Sequence, residues 1–146
     1  MRKLVVAFSA LMLLSGIGMA QMSWDEPIPF DENTVTGKLE NGFTYYIKKN
    51  SKPENFAEVR LAVNAGSVLE SEAQQGLAHF VEHMCFNGTK NFPGNGVVDF
   101  LQTIGSRFGA HVNAFTGFEE TVYMLRIPTE DPSVFDQGLQ VMEDWA

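Results

Sequence analysis

The sequence has a single cysteine, Cys85, among its 146 residues, and it has no surplus of basic side chains. One cysteine excludes an intramolecular disulfide framework, so packing, a metal or a partner must hold the chain together. The 18 acidic against 10 basic residues argue against a nucleic-acid partner, because binding the phosphate backbone needs clustered lysine and arginine. Cys85 itself fits a small buried hydrophobic residue better than a reactive thiol.

The chain also lacks, after its first twenty residues, any apolar run of the roughly 20 residues that a membrane span requires. Residues 1–20 have the features of a secretory signal peptide: Arg2 and Lys3, an apolar run over residues 4–14, and small residues up to Ala20. We therefore expect an exported protein with no integral membrane segment after signal cleavage. The periplasm is the expected location, and secretion beyond the cell is the alternative.

Periodicity and turn residues predict the element order ββ-β-α-α-β-β-α, an α+β fold with a mostly antiparallel sheet covered by helices. Residues 21–35 are polar and proline-broken, which predicts an extended lead-in, and residues 36–146 are expected to form the folded domain. Asn41-Gly42 predicts a tight hairpin, because this dipeptide accepts positive φ at both central positions of a turn. Three further strands are predicted over residues 57–65, 110–116 and 121–127.

Three helices are predicted from capping residues and apolar spacing. Ser71 and Gln74 form a capping box that predicts the start of the first helix, in which Gly76 is explained by the close approach of a neighbour. The second helix is predicted over residues 97–104. The third begins near Pro132, and its spacing predicts a core-facing stripe of Phe135, Leu139, Met142 and Ala146.

The first predicted helix carries the pattern H-x-x-E-H, formed by His79, Glu82 and His83. At 100° per residue the three side chains project within an arc of about 100° on one helix face. The opposite face carries Leu77, Phe80, Val81 and Met84, which predicts that this apolar side packs on the sheet. A shuffled chain of this composition would contain the pattern roughly once in three hundred cases, so the motif is fairly specific.

Two imidazoles one helical turn apart can reach the same Zn²⁺ ion, and the ion activates water for attack on a carbonyl carbon. A glutamate between them can take the proton of that water, which indicates metal-assisted hydrolysis with Glu82 as general base. The alternative is that His79 and His83 are ordinary surface or packing residues. For the third histidine, His111, which is predicted to lie in a strand, the ordinary structural interpretation is preferred.

The residues around the motif resemble the insulinase/pitrilysin family of zinc metallopeptidases, specifically its bacterial exported branch, over nearly all of the chain after residue 20. Four further segments carry the resemblance: Leu39-Glu40-Asn41-Gly42-Phe43, Gly76-Leu77-Ala78, Met84 with Phe86-Asn87-Gly88-Thr89-Lys90, and Asn113-Ala114-Phe115-Thr116 with Glu120-Thr121-Val122-Tyr123. The resemblance implies a partial insulinase/pitrilysin-type (LuxS/metallopeptidase-like) domain.

The resemblance also implies roles for single residues. His79 and His83 become Zn²⁺ ligands and Glu82 the general base of a metalloendopeptidase acting on peptides or unfolded polypeptides. The segment Asn113, Ala114, Phe115 and Thr116 becomes an edge strand that receives the substrate backbone as an added strand. The alternative for this segment is an ordinary strand with a turn-prone asparagine.

A catalytic zinc site normally has three protein ligands, and the resemblance implies that the third is a glutamate at roughly position 160 in this numbering. We therefore expect the N-terminal piece of a larger peptidase, inactive alone, whose partners are a peptide substrate and the missing C-terminal remainder or a homologous second half. Two alternatives stay open. One is a non-catalytic scaffold or partner subunit of the family, and the other is a small exported metal-binding module.

Overall fold

The structure, a computed structural model, describes residues 29–146, so the expected signal peptide and residues 21–28 of the expected lead-in lie outside the described residues. The described residues divide into two units, residues 29–49 and residues 50–146. No helix within the described part is long and apolar enough to cross a membrane.

The first unit is an antiparallel hairpin of β1 (Thr34–Lys38) and β2 (Thr44–Lys48). The prediction of a two-residue turn was wrong: Leu39 and Phe43 close the ladder, and a three-residue loop connects them. Only Gly42 in this loop has positive φ, at +91°, while the Asn41 side chain accepts a hydrogen bond from the Phe43 amide at 3.0 Å. Such a loop ends in a left-handed glycine, which explains why the dipeptide fits here without a two-residue turn.

The second unit is built on a three-stranded antiparallel sheet of β3 (Phe56–Val63), β4 (Val112–Thr116) and β5 (Thr121–Pro128) in the order β3-β5-β4. Two short 3-10 helices, Ser67–Leu69 and Glu72–Gln74, follow β3. Three α-helices complete the unit: α1 (Leu77–Cys85), α2 (Gly96–Thr103) and α3 (Pro132–Trp145). The predicted order of helices and strands and the α+β class are confirmed.

The core of the second unit lies between one face of the sheet and the helices α2 and α3. Opposed residues share a face, so the register aligns the inward side chains of all three strands: Val59 and Leu61 of β3, Val112 of β4, and Tyr123 and Leu125 of β5. From the helices come Val97, Phe100, Leu101, Val141, Met142 and Trp145. The alternate residues of these three strands, together with the two helices, therefore build the core.

The predicted stripe of α3 was right for Met142, which is buried, and for Phe135, which packs against the core, but wrong for Leu139 and Ala146. Leu139 is 41% exposed and Ala146 is exposed, whereas the buried residues are Gly138, Val141, Met142 and Trp145. Gly138 sets this phase, because a Cβ atom there would lie 2.7 Å from the Ile127 side chain. The helix can approach β5 so closely only on its glycine side, and an apolar-spacing rule gives no weight to glycine.

Candidate metal and peptide site

Helix α1 begins later than predicted, and its start depends on two residues with different functions. Gly76 has φ +85° with no atom within 4 Å of a Cβ added there, so the explanation for this glycine is its left-handed backbone and not a close neighbour. Ser71 and Gln74 belong instead to the preceding 3-10 helix, where their side chains are 2.9 Å apart. The Glu70 carboxylate caps α1 by accepting hydrogen bonds from the amides of Gly76 (2.7 Å) and Ala78 (2.8 Å).

We predict that Glu70→Ala lowers the free energy of unfolding by about 1–2 kcal/mol, because two amides at the positive end of α1 lose their acceptor. Glu70→Gln, which keeps one carbonyl oxygen, should lose less. Urea unfolding followed by circular dichroism measures both. Glu72→Ala is the matched control, since Glu72 is exposed and belongs to the neighbouring 3-10 helix. An equal loss in Glu72→Ala would contradict the capping role of Glu70.

The orientation of α1 is the reverse of the predicted one. Its apolar residues are exposed, Phe80 to 59% and Val81 to 49%, and Glu82 is its only buried residue at 7%. Glu82, and not the apolar residues, points toward β4, against which the helix packs. The buried carboxylate is not left unpaired, because the Thr116 hydroxyl of β4 donates to it and so offsets part of the cost of its desolvation.

The two imidazoles of the motif converge at the exposed side of α1. Their Nε2 atoms lie 3.0 Å apart and their ring centroids 4.6 Å apart. Two nitrogens that share a tetrahedral Zn²⁺ at 2.0–2.1 Å would be separated by about 3.3 Å, so this pair fits as two ligands of one ion. No cluster of three or more His, Cys, Asp or Glu side chains suited to a metal occurs among residues 29–146.

Glu82 has one carboxylate oxygen held and the other open. The Thr116 hydroxyl donates to Oε2 at 2.7 Å. No donor among the described residues reaches Oε1, and no buried side-chain oxygen in this part of the chain is left without a partner, so Oε1 is accessible to solvent. A carboxylate fixed through one oxygen and open at the other is suited to accept a proton at a defined position.

Strand β4 is an edge strand of the described sheet, as the resemblance implied, and β5 is its only partner strand there. At its first residue, Val112 also forms an isolated bridge with Phe108, so the open part of the edge begins after Val112. At its two ends the Arg126 amide donates to the His111 carbonyl and the Gly117 amide donates to the Glu120 carbonyl, both at 2.8 Å. Because bonded and outward groups alternate along an antiparallel strand, Ala114 lies with its N–H and C=O toward the open edge. The same alternation directs the backbone groups of Thr116 outward.

The four residues predicted to receive a substrate therefore divide into two pairs. Ala114 and Thr116 have backbone groups at the open edge, whereas Asn113 and Phe115 use theirs to bond with β5. The side chains of Asn113 and Phe115 are exposed on the opposite sheet face from Thr116. Only the first pair could form a ladder with an added strand, and the role of the whole segment stays a prediction.

An open cleft of about 340 Å³ lies beside this edge. It connects the end of β4 with the start of α1, and it is lined by Ser67, Glu70, Gly76, His79, Thr116, Gly117 and Phe118. One imidazole of the motif and one residue with outward backbone groups thus share the same cleft. Phe118 at its rim is 80% exposed and supplies apolar surface.

The C-terminal end of α1 is fixed by residues of α3 that sequence reasoning did not identify. The Trp145 indole N–H donates to the Cys85 carbonyl at 2.9 Å, which satisfies a carbonyl that the helix end leaves free. Asp144 accepts hydrogen bonds from the Thr89 hydroxyl and from the backbone and side chain of Asn91. Burial opposes ionisation of Asp144, but these bonds prevail and lower the pKa of its carboxyl.

Cys85 and His111, the two other residues singled out from the sequence, lie outside the cleft and the motif. Cys85 is half-buried against the core, in agreement with its interpretation as a packing residue, and its thiol donates to the Tyr123 hydroxyl at 3.4 Å. Burial, together with this hydrogen bond, raises the pKa of Tyr123 above its ordinary range. The prediction that His111 lies in a strand was wrong: it lies in a turn one residue before β4, and its backbone carbonyl accepts a hydrogen bond from the Arg126 amide.

A sequence profile of the family described as "Insulinase (Peptidase family M16)" matches residues 45–146. The chain belongs to this family. Its family membership and α+β fold, both expected from the sequence, are therefore confirmed. Relatives of the chain that carry the name zinc protease support a peptidase function at the level of the family.

Three individual matches illustrate the relationship. The chain is 37% identical to "Probable zinc protease PqqL" of Haemophilus influenzae over 99% of its own length and 16% of the relative's. It is 40% identical to "Probable zinc protease PqqL" of Escherichia coli over 82% of its length and 13% of the relative's. The crystal structure of the first half of the periplasmic protease PqqL from Escherichia coli superposes with a TM-score of 0.77, covering 82% of this chain and 26% of that one. The chain thus spans less than a fifth of the length of these two relatives.

Proposed function

We propose that this chain supplies the zinc-binding helix and the substrate-binding edge of a zinc-dependent metalloendopeptidase that hydrolyses peptides or unfolded polypeptides. The observation that carries the proposal is the convergence of the His79 and His83 Nε2 atoms, 3.0 Å apart, on the helix face that also bears Glu82. Membership of the M16 family and relatives named zinc proteases support the same reaction class.

In the proposed mechanism His79 and His83 would hold the metal, and Zn²⁺, when bound, would supply Lewis-acid activation of water and of the substrate carbonyl. Glu82 accepts the water proton at its open Oε1 and can return it to the leaving amine. The outward backbone groups of Ala114 and Thr116 hold the peptide as an added strand, which fixes the scissile bond relative to the helix.

The third ligand and the closing part of the substrate chamber are proposed to come from a C-terminal remainder or from a homologous second half. Glu119, Glu120, Glu130 and Glu143 do not join the histidines in a cluster within the described residues. The periplasm is the proposed location, in line with the signal-peptide pattern of residues 1–20 and with the periplasmic relative.

A zinc titration of the chain without residues 1–20 tests the proposed site. Because two imidazoles leave the ion without its usual third protein ligand, we expect weak binding, with a Kd of about 1 μM or higher, and no measurable peptide hydrolysis. His79→Ala and His83→Ala should each weaken binding further, whereas His111→Ala is the matched control and should not. Tight one-to-one binding together with peptidase activity would refute the requirement for a further ligand.

The sequence leaves two other functions open. A non-catalytic scaffold or partner subunit of the family would not need two metal-binding histidines together with a general base. Here His79, Glu82 and His83 are all present. A small exported metal-binding module would not need the open edge of β4 beside the histidines. Hydrolysis of a peptide substrate by a longer protein that carries the chain separates the peptidase from both alternatives.

A further inference from the structure

The hydroxyl of Thr116 forms a hydrogen bond with the buried Glu82 carboxylate of the motif, in which the hydroxyl is the donor. Glu82 is 7% exposed, and its Oε2 lies 2.7 Å from the Thr116 Oγ1. The threonine hydroxyl is the donor and the Glu82 oxygen the acceptor, so Thr116 donates its single hydroxyl proton to Glu82. A hydrogen bond to a charged group at this distance is among the stronger interactions of a protein interior.

The neighbouring threonine does not compete for this role. Thr121 is the cross-strand partner of Thr116, and its Oγ1 lies 3.4 Å from the Thr116 Oγ1 but 2.8 Å from the Ala65 carbonyl oxygen. A carbonyl also only accepts, and Thr121 has one hydroxyl proton, so this proton goes to Ala65. Thr121 is thereby anchored to the end of β3, and Thr116 is the residue whose hydroxyl faces the base.

The backbone and the side chain of Thr116 therefore have different partners. Its N–H and C=O lie toward the open edge of β4, where an added strand would pair, while its hydroxyl donates a hydrogen bond to Glu82. An added peptide strand and the base would thus be positioned by the same residue. Movement of β4 relative to α1 would alter both positions together.

We propose that Thr116 is a positioning residue, whose hydroxyl fixes one oxygen of Glu82 so that the other faces the substrate bound along β4. This inference rests on the proposed peptidase function. It assigns to the Thr116 side chain a role separate from the substrate-binding role predicted for its backbone. It also predicts that loss of the hydroxyl affects turnover more than substrate binding, because the backbone groups at the edge remain.

The kinetic test uses a longer protein that carries the chain and cleaves peptides. Thr116→Val is nearly isosteric and keeps the backbone, and we expect its kcat to fall about tenfold, with KM changed by less than about twofold and zinc content unchanged. Thr116→Ser, which restores a hydroxyl, should recover most of the lost kcat. Thr121→Val is the matched control for loss of a buried hydroxyl and should not reproduce the fall in kcat.

A second measurement does not depend on activity. In the 146-residue chain, Thr116→Val should lower the midpoint of thermal unfolding when Glu82 is present, because a buried carboxylate then loses its donor. In a Glu82→Ala background the same substitution should lower the midpoint less, since no carboxylate is there. Thr121→Val should lower the midpoint equally in both backgrounds. Coupling of this kind supports the contact, and equal effects of Thr116→Val in both backgrounds would overturn it.

The two tests separate failure of the inference from failure of the proposed function. Equal kcat values in Thr116→Val and the wild type, or a Thr116→Ser variant as impaired as Thr116→Val, would overturn the positioning role while leaving the peptidase in place. A longer protein without peptidase activity, or with full activity after Glu82→Gln, would overturn the proposed function and the positioning role with it. The unfolding experiment would then still report whether the hydroxyl and the carboxylate interact.

Discussion

Replacing Glu82 by glutamine in a longer protein that carries this chain is expected to lower kcat/KM for peptide hydrolysis by about 10²–10⁴-fold, the usual contribution of a positioned general base. The amide has the same shape as the carboxylate and can still accept the hydrogen bond of Thr116 through its carbonyl oxygen. It cannot take a proton from water. Zinc content should therefore stay at the wild-type level, because His79 and His83 are untouched.

Activity and metal content have to be measured on the same preparations, the first with a fluorogenic peptide and the second by elemental analysis. Glu72→Gln is the matched control, since it makes the same chemical change at an exposed position before α1. Retained activity in Glu82→Gln would refute the role of Glu82 as base. Loss of zinc together with activity would instead indicate that Glu82 contributes to metal binding.

Replacing Trp145 by alanine is expected to lower the free energy of unfolding of the chain by about 3–5 kcal/mol, the range for truncation of a buried large aromatic residue. The indole is 5% exposed and lies between the rings of Tyr123 (5.3 Å) and Phe86 (5.0 Å). It also donates to the Cys85 carbonyl at the end of α1. Its removal would leave a cavity beside helix α1 and one helix-end carbonyl without its donor.

Two further variants separate the contributions of ring packing, the hydrogen bond and position on the helix to this loss of stability. Denaturant unfolding measures all three variants. Trp145→Phe keeps much of the ring packing and removes the N–H, so it should cost clearly less than the alanine variant, with about 1 kcal/mol from the hydrogen bond. Leu139→Ala truncates a large residue of the same helix that is 41% exposed, and it should cost about 1 kcal/mol or less. A cost for Leu139→Ala as large as for Trp145→Ala would contradict the observed phase of α3.

The sequence was a good guide wherever a feature depends on neighbouring positions along one element. The order of the elements, the inward alternation of β3 and β5, and the shared face of His79, Glu82 and His83 are all properties of local periodicity. The hydrogen bond of Asn41 to the Phe43 amide likewise acts over two residues. In the hairpin the dipeptide correctly indicated a turn, and only the number of loop residues was wrong.

Features that depend on contacts between elements could not be predicted in this way. A helical pattern shows that α1 has an apolar side and a polar side, but which side meets the sheet depends on contacts with distant residues, such as that of Glu82 with Thr116 more than thirty positions away. The cap supplied by Glu70 reaches α1 across a 3-10 helix, whereas a capping box considers a spacing of three residues only. In α3 the decisive residue is Gly138, whose lack of a side chain permits close packing on Ile127.

The open edge of β4 has a consequence for selectivity. Main-chain pairing uses the N–H and C=O groups that nearly every amino acid carries, so an edge of this kind does not distinguish one side chain from another. Proline is the exception, because it has no N–H to donate. A peptide that adds to Ala114 and Thr116 would therefore be tolerated in almost any composition, but with proline disfavoured at positions whose amide must face the edge. Cleavage maps of mixed peptides would show this as a gap at proline and not as a consensus sequence.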